Sequence, residues 1–306
     1  MTALFVLKSR MKDFFQQMQT TFWEPKRDEK GQDKGEIAAL NRVIETTAFW
    51  YLFVTSCSLT TFLCIPIFSE GEKLIYEAYR PPGVTYFIAL GIQAFTGFTH
   101  IVYGVFPFDM VFMILVTCTA LQFQLLNEEL RGLFDSQLNT KEAVAEFKKE
   151  LKKCIRHYDF LLQYAKTIND EFSVPLAFSL VTMFGCHTVE MYRLAKAQNF
   201  GTALRSILFV VAGVLIVFMQ CFSIPAQRLT DEASRVGVNT YFSRWYSHPE
   251  YVKPLIIVMS RSHKLVKIVP CGILELNLEK GLAAIRAMVS YSMFLKTVDS
   301  MENKEL

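Results

Sequence analysis

The sequence predicts an all-α fold: a multi-span transmembrane helical bundle with a cytoplasmic helical anchor, an inside N-terminus and an outside C-terminus. Three observations predict it. Of 306 residues, 52% are hydrophobic and 14% aromatic, and the mean hydropathy is +0.25, whereas a soluble chain must cover its surface with polar side chains. Apolar runs near the roughly 20 residues that a membrane helix needs recur along the chain. Segments rich and poor in Lys and Arg alternate between those runs, as expected when the basic segments stay on the cytoplasmic side. A net charge of only +3 excludes nucleic-acid binding by bulk charge, and the apolar content excludes disorder and collagen. Membrane lipid is the expected surrounding.

Residues 1–45 open with MTALFVLKSRMK, an apolar stub running into a basic amphipathic stretch without a cleavage site. This reads as the cytoplasmic end of a helix whose beginning precedes the chain, with two upstream spans expected. An amphipathic helix lying on the membrane surface fits these residues equally well. The spans of 46–126 come next. Thr46 to Phe68 is the first, free of charge after Glu45. The apolar stretch from Val84 to about Leu126 is too long for one crossing. Two crossings would need a turn at Pro107 and would break the alternation of basic segments, so one long helix is expected, projecting into the cytosol beyond Asp109. Within 171–224, Phe172–Val189 and Leu204–Ile224 are the next spans, and Leu282–Val298, within 281–298, is the last. Residues 299–306 form an extracellular tail.

Two polar segments are anchor helices and not mere loops. In 127–170, Val144, Phe147, Leu151, Ile155, Tyr158, Leu161, Leu162 and Ala165 follow helical spacing, with Asn139–Thr140 as an N-cap. In 225–280, a short helix is expected after His248–Pro249, and Pro270-Cys271-Gly272 breaks the chain before the last span. Apolar stripes that continue outside the membrane must be buried against one another or a partner. The basic face at Lys148, Lys149, Lys152 and Lys153 reads as solvated.

Catalysis has no visible constellation. The seven cysteines contain no CxxC pair, and the five histidines form no HxxxH or HExxH. No Walker loop, GxSxG or GxGxxG occurs. The expectation is a non-enzyme without cofactor or metal. The last span is polar for a lipid-facing helix, with Arg286, Ser290, Ser292, Lys296 and Thr297. Ser290, Phe294, Thr297 and Val298 share one stripe. Such a stripe suits a water-filled pore gated by an apolar ring. It suits equally a helix buried through its hydroxyls.

The C-terminal third resembles the insect odorant receptor family. The residues that carry the resemblance are QRLTDEAS at 227–234, Asn239-Thr240-Tyr241 with Trp245-Tyr246, VSYS at 289–292 and Phe294-Leu295. Upstream, Gln93, Asp109, Gln122 or Gln124 and Leu130 fall as in the family's fourth helix. The resemblance implies a tuning subunit of a seven-span, ligand-gated, non-selective cation channel, tetrameric with the odorant receptor coreceptor. It implies the plasma membrane of an olfactory sensory neuron dendrite. It places Phe294 and Val298 at a hydrophobic gate, Thr297 at a polar narrowing beside Ser290, and Tyr241 and Trp245 in the subunit anchor. Departures from the family pattern stand at Gly281 and Lys296. A volatile apolar ligand would enter an outer-side pocket among Phe62, Phe87, Gly91, Phe95, Met183, Leu208 and Val211, which sit in the outer halves of their spans. A gustatory receptor shares this architecture. A G-protein-coupled receptor would need the opposite parity, and a transporter would need internal repeats or broken helices with paired charges.

Overall fold

Lipid offers backbone N–H and C=O groups no partner, so an apolar span has to satisfy them within itself, and helix does this. The computed structural model describes residues 2–24, 35–68, 85–135, 141–197, 199–242 and 252–305. Among them the chain is helical: α1 (Thr2–Thr21), α2 (Glu36–Phe68), α3 (Tyr86–His100), α4 (Phe106–Asp135), α5 (Lys141–Ala195), α6 (Phe200–Val210), α7 (Ile224–Phe242), α8 (Val252–Ser262) and α9 (Leu278–Glu305). Among the described residues, three helical runs are long and apolar enough to cross a membrane: Tyr86–Leu133, Ala143–Ala195 and Phe200–Phe242. The expected first and last spans are helical too, within α2 and α9. In α2 the hydroxyls turn back on the helix: Thr55 Oγ1 donates to the Tyr51 carbonyl (2.6 Å) and Thr60 Oγ1 to that of Ser56 (2.8 Å), so neither needs an outside partner.

The stretch from Tyr86 to Asp135 is one continuous helix, as the basic-residue alternation required. Pro107 does not turn it. A π-helical segment, Ile101–Val105, joins α3 to α4, and the Phe106 N–H reaches back to the Ile101 carbonyl. A second, Val211–Ser223, joins α6 to α7 just ahead of Pro225. Proline has no N–H to give and crowds the carbonyl four residues back. Widening the preceding turn is one way a helix accommodates it. The expected division between anchor helices and span near residue 170 is not a break: α5 runs unbroken for 55 residues with Pro175 inside it. No Gly or turn cluster accompanies Pro175, and the face that carries Phe172 and Leu176 stays buried across it, so packing holds the helix through the proline. The N-cap expected at Asn139–Thr140 and the turn at His248–Pro249 lie outside the described residues. The short helix expected after that turn is α8.

The residues group into two compact units. The first comprises Met1–Arg42, Ile114–Ala177 and Ile224–Asn277. Its core is aromatic and aliphatic: Phe123 meets Tyr158 edge-on at 6.3 Å, and Phe14 meets Tyr164 at 5.4 Å. Leu126, Leu161, Ile168 and Val236 are fully buried. Helices α7 and α8 pack closely because Gly237 lacks a side chain; a Cβ there would lie 1.7 Å from Ser262 Oγ. The segment after α8 is pinned to α5, with the Val269 N–H on Asn169 Oδ1 and the Cys271 N–H on Ser173 Oγ, both 2.8 Å. There the expected Pro270-Cys271-Gly272 break occurs, with Cys271 at φ 48° and Gly272 at φ 71°. Both lie in the left-handed region, which glycine takes freely and cysteine does not.

The second unit comprises Val43–Met113, Phe178–Ser223 and Leu278–Leu306. Phe112 meets Phe222 edge-on at 5.5 Å, and Tyr51 meets Phe106 at 5.0 Å. Helix α9 packs on the Val211–Ser223 segment. Gly281 makes this approach close, since a Cβ there would stand 3.1 Å from Ser223 Oγ and 3.3 Å from Met219 Sδ.

Candidate functional site

The second unit holds the residues the sequence nominated for ligand and pore. Phe62, on α2, meets Phe209 of α6 at 6.0 Å. Phe209 stacks on His187 of α5 at 4.9 Å, and His187 Nδ1 pairs with the Met183 carbonyl at 2.7 Å. The imidazole fills the notch left by Gly213, whose Cβ would fall 1.7 Å from Nε2. Phe62 and Met183 are therefore brought to one cluster. Leu208 and Val211 are half-buried on the turn beside Phe209, and the Val211 N–H bonds the carbonyls of Ile207 and Leu208. Phe87, Gly91 and Phe95 are not brought there. They line one exposed stripe of α3, Phe87 at 75% and Phe95 at 70% exposure.

Four polar groups missed by sequence reasoning lie in this unit. Ser206 Oγ donates to Glu190 Oε2 (2.9 Å), and Arg193 Nη1 holds Glu190 Oε1 (3.0 Å). Arg205 places its guanidinium 5.0 Å over the Phe62 ring. Separately, Tyr51 Oη donates to Asp109 Oδ2 at 2.8 Å, and Asp109 is fully buried. A lone carboxylate inside an apolar run was the available sign that a hydroxyl partner had to exist. Which tyrosine supplied it was not legible.

Helix α9 is buried along a narrow stripe. Gly281, Met288 and Ser292 are buried, at i, i+7 and i+11, whereas Ser290, Phe294, Thr297 and Val298 are exposed. These four face away from the buried stripe. Near its end, Asp299 pairs with Lys196, which also meets the Tyr192 hydroxyl at 3.2 Å. That bonding raises the Lys196 ammonium above its usual range.

In the first unit a different cluster docks the segment after α1. The Trp23 N–H donates to Gln122 Oε1 (2.8 Å), and Gln122 Nε2 donates back to the Trp23 carbonyl (3.0 Å). The Trp23 ring stacks on His157 at 4.0 Å, and Lys153 Nζ lies 5.3 Å from its centroid. Burial, reinforced by the Lys153 charge, pushes the His157 pKa down to about 4. Burial also raises Tyr158 to about 12. Asn127, Glu232, Asn239 and Arg131 form a further chain: Asn127 Nδ2 donates to the Glu232 carbonyl (3.0 Å), Asn239 Nδ2 to Asn127 Oδ1 (2.9 Å), and Arg131 Nη2 to Asn239 Oδ1 (2.8 Å). Tyr241, expected in the subunit anchor, is 62% exposed at the end of α7. Trp245 lies outside the described residues. Among those residues no group of His, Cys, Asp or Glu is placed to hold a metal ion.

An all-helical membrane bundle with an aromatic cluster in its spans and an exposed last helix has the form of a multi-span receptor. The family model described as 7tm odorant receptor matches residues 1–288, and the chain belongs to that family, which comprises receptors and not enzymes. It is similar in fold to the insect olfactory receptor OR5 from Machilis hrabei, with a TM-score of 0.74 and 13% identity, covering 96% of this chain and 76% of that one. The same receptor in complex with eugenol matches with a TM-score of 0.74, 12% identity and the same coverage. At these identities the likeness is one of fold. No curated protein sequence matches the chain.

Proposed function

We propose that this odorant receptor is a tuning subunit of a ligand-gated, non-selective cation channel. It assembles as a tetramer with the odorant receptor coreceptor in the plasma membrane of an olfactory sensory neuron dendrite, N-terminus inside and C-terminus outside. The observation that carries the reading is the last helix. A helix that buries Gly281, Met288 and Ser292 and leaves Ser290, Phe294, Thr297 and Val298 exposed has a face available to water and to neighbouring subunits. Phe294 and Val298 form the apolar ring that closes the pore by dewetting, and Thr297 with Ser290 lines its polar narrowing. Tyr241 and Trp245 serve the contact between subunits.

A volatile, largely apolar ligand binds on the outer side, against Phe62, Met183, Leu208 and Val211, held mainly by dispersion and aromatic contact. Phe87, Gly91 and Phe95, exposed on α3, offer a separate apolar surface. Ligand binding favours a state in which the last helices move apart, by as much as its affinity for the two states differs. The contact of Met219 and Ser223 with Gly281 gives the segment that follows Phe209 a direct hold on α9. The test is whole-cell current from the chain co-expressed with the coreceptor. Ligand-evoked cation current without a G protein is expected, and Val298→Ala should raise the ligand-independent current several-fold. Unchanged basal current in a variant that reaches the surface would remove Val298 from the gate.

A further inference from the structure

Arg205 stands out in the second unit. Its Nε is buried without a hydrogen-bond partner, and its guanidinium stands over the face of Phe62, 5.0 Å away. The buried carboxylate that could have matched it, Glu190, is held by Ser206 at 2.9 Å and Arg193 at 3.0 Å. Phe62 in turn meets Phe209, 6.0 Å away, so the cation rests on an aromatic pair. A buried donor left unmet is costly, and folded proteins leave few of them without a reason. Guanidinium is also the side chain best matched to a carbonyl or carboxylate oxygen.

We infer that Arg205, over the Phe62 ring, selects volatile ligands that carry an oxygen acceptor, a carbonyl or a carboxylate, over hydrocarbons and amines. The inference rests on the ligand-binding reading above and adds the chemical class to it. The apolar tail of the ligand lies along Phe62 and its neighbours, and its oxygen accepts from Arg205. A hydrocarbon leaves the donor unmet. An amine, protonated at neutral pH, meets a like charge, while Glu190 is already taken by Ser206 and Arg193.

The test measures binding to the purified chain, by ligand-induced shift of its thermal unfolding, for octanal, octanoate, octane and octylamine. Octanal or octanoate should bind at least about tenfold tighter than octane and octylamine, the lower end of what a hydrogen bond to a charged group is worth. Arg205→Met, which keeps most of the packing on Phe62, should erase that preference, and Arg205→Lys should keep part of it. Octane or octylamine binding as tightly, no binding by either oxygenated probe, or a preference that survives Arg205→Met would each overturn the inference. The ranking in the unmodified chain decides even if a variant fails to fold. Selective binding without evoked current would leave the inference standing and count against the channel. Current evoked by octane and not by octanal would do the reverse.

Discussion

At the scale of single residues, burial sets the behaviour of the polar side chains. His157 is enclosed by Trp23, Phe160 and Gln122, and in the folded chain it titrates at about 4 against 6.5 when unperturbed. As pH falls the unfolded state takes up the proton first. The stability the neutral ring supports is therefore fully present above about pH 6.5 and is lost as pH drops toward about 4. The unfolding temperature of the purified chain should fall between neutral pH and pH 5, and His157→Phe should flatten part of that slope. An unaltered slope in the variant would mean that other groups dominate. His157 stood in the sequence as one more histidine of an anchor helix. Its partner Trp23 is more than a hundred residues away, and no periodicity connects the two.

Among the elements, the π-helical segments and the glycines explain how the helices approach one another. Both segments directly precede a proline-bearing turn, at Pro107 and Pro225. Helix continuity through Pro107 followed from charge alternation, but the widened turn that permits it did not. Gly213 sits near the start of the second segment and admits the His187 ring. Gly213→Ala should cost about 3 kcal/mol, the upper end of overpacking penalties, because the ring must leave its notch. Adding His187→Ala should return part of that loss, a coupling of about 1–2 kcal/mol. Strictly additive losses, read from thermal unfolding of both single variants and the double variant, would show that the contact carries no such weight. Gly213 gave no sign in the sequence, since a small residue in a span is equally consistent with open space, as at Gly91.

For the whole molecule, the proposed channel turns on whether the exposed face of α9 meets water. After the exposed native thiols Cys186 and Cys271 are replaced by serine, single cysteines at Ser290, Phe294, Thr297 and Val298 should react with a charged aqueous thiol reagent while ligand is present. Cysteines at Met288 and Ser292, on the buried stripe, should stay protected. Equal protection of all six positions would place the helix in lipid or protein and end the pore assignment.

Composition, the spacing of apolar runs and the alternation of basic segments sufficed for the all-helical membrane class, and the motif run from Gln227 to Leu295 for the family. Those properties are local or additive: a span must be apolar over its own length, and a basic segment resists translocation wherever it stands. What required the folded chain was the pairing of distant polar groups, Tyr51 with Asp109, Ser206 with Glu190, Trp23 with His157, and the exposed setting of Phe87 and Phe95 beside the clustered one of Phe62. A helix in lipid gains little from apolarity on any one side, so its hydrophobic pattern does not mark the face it packs. Only the close fit of side chains from separate helices settles which face that is.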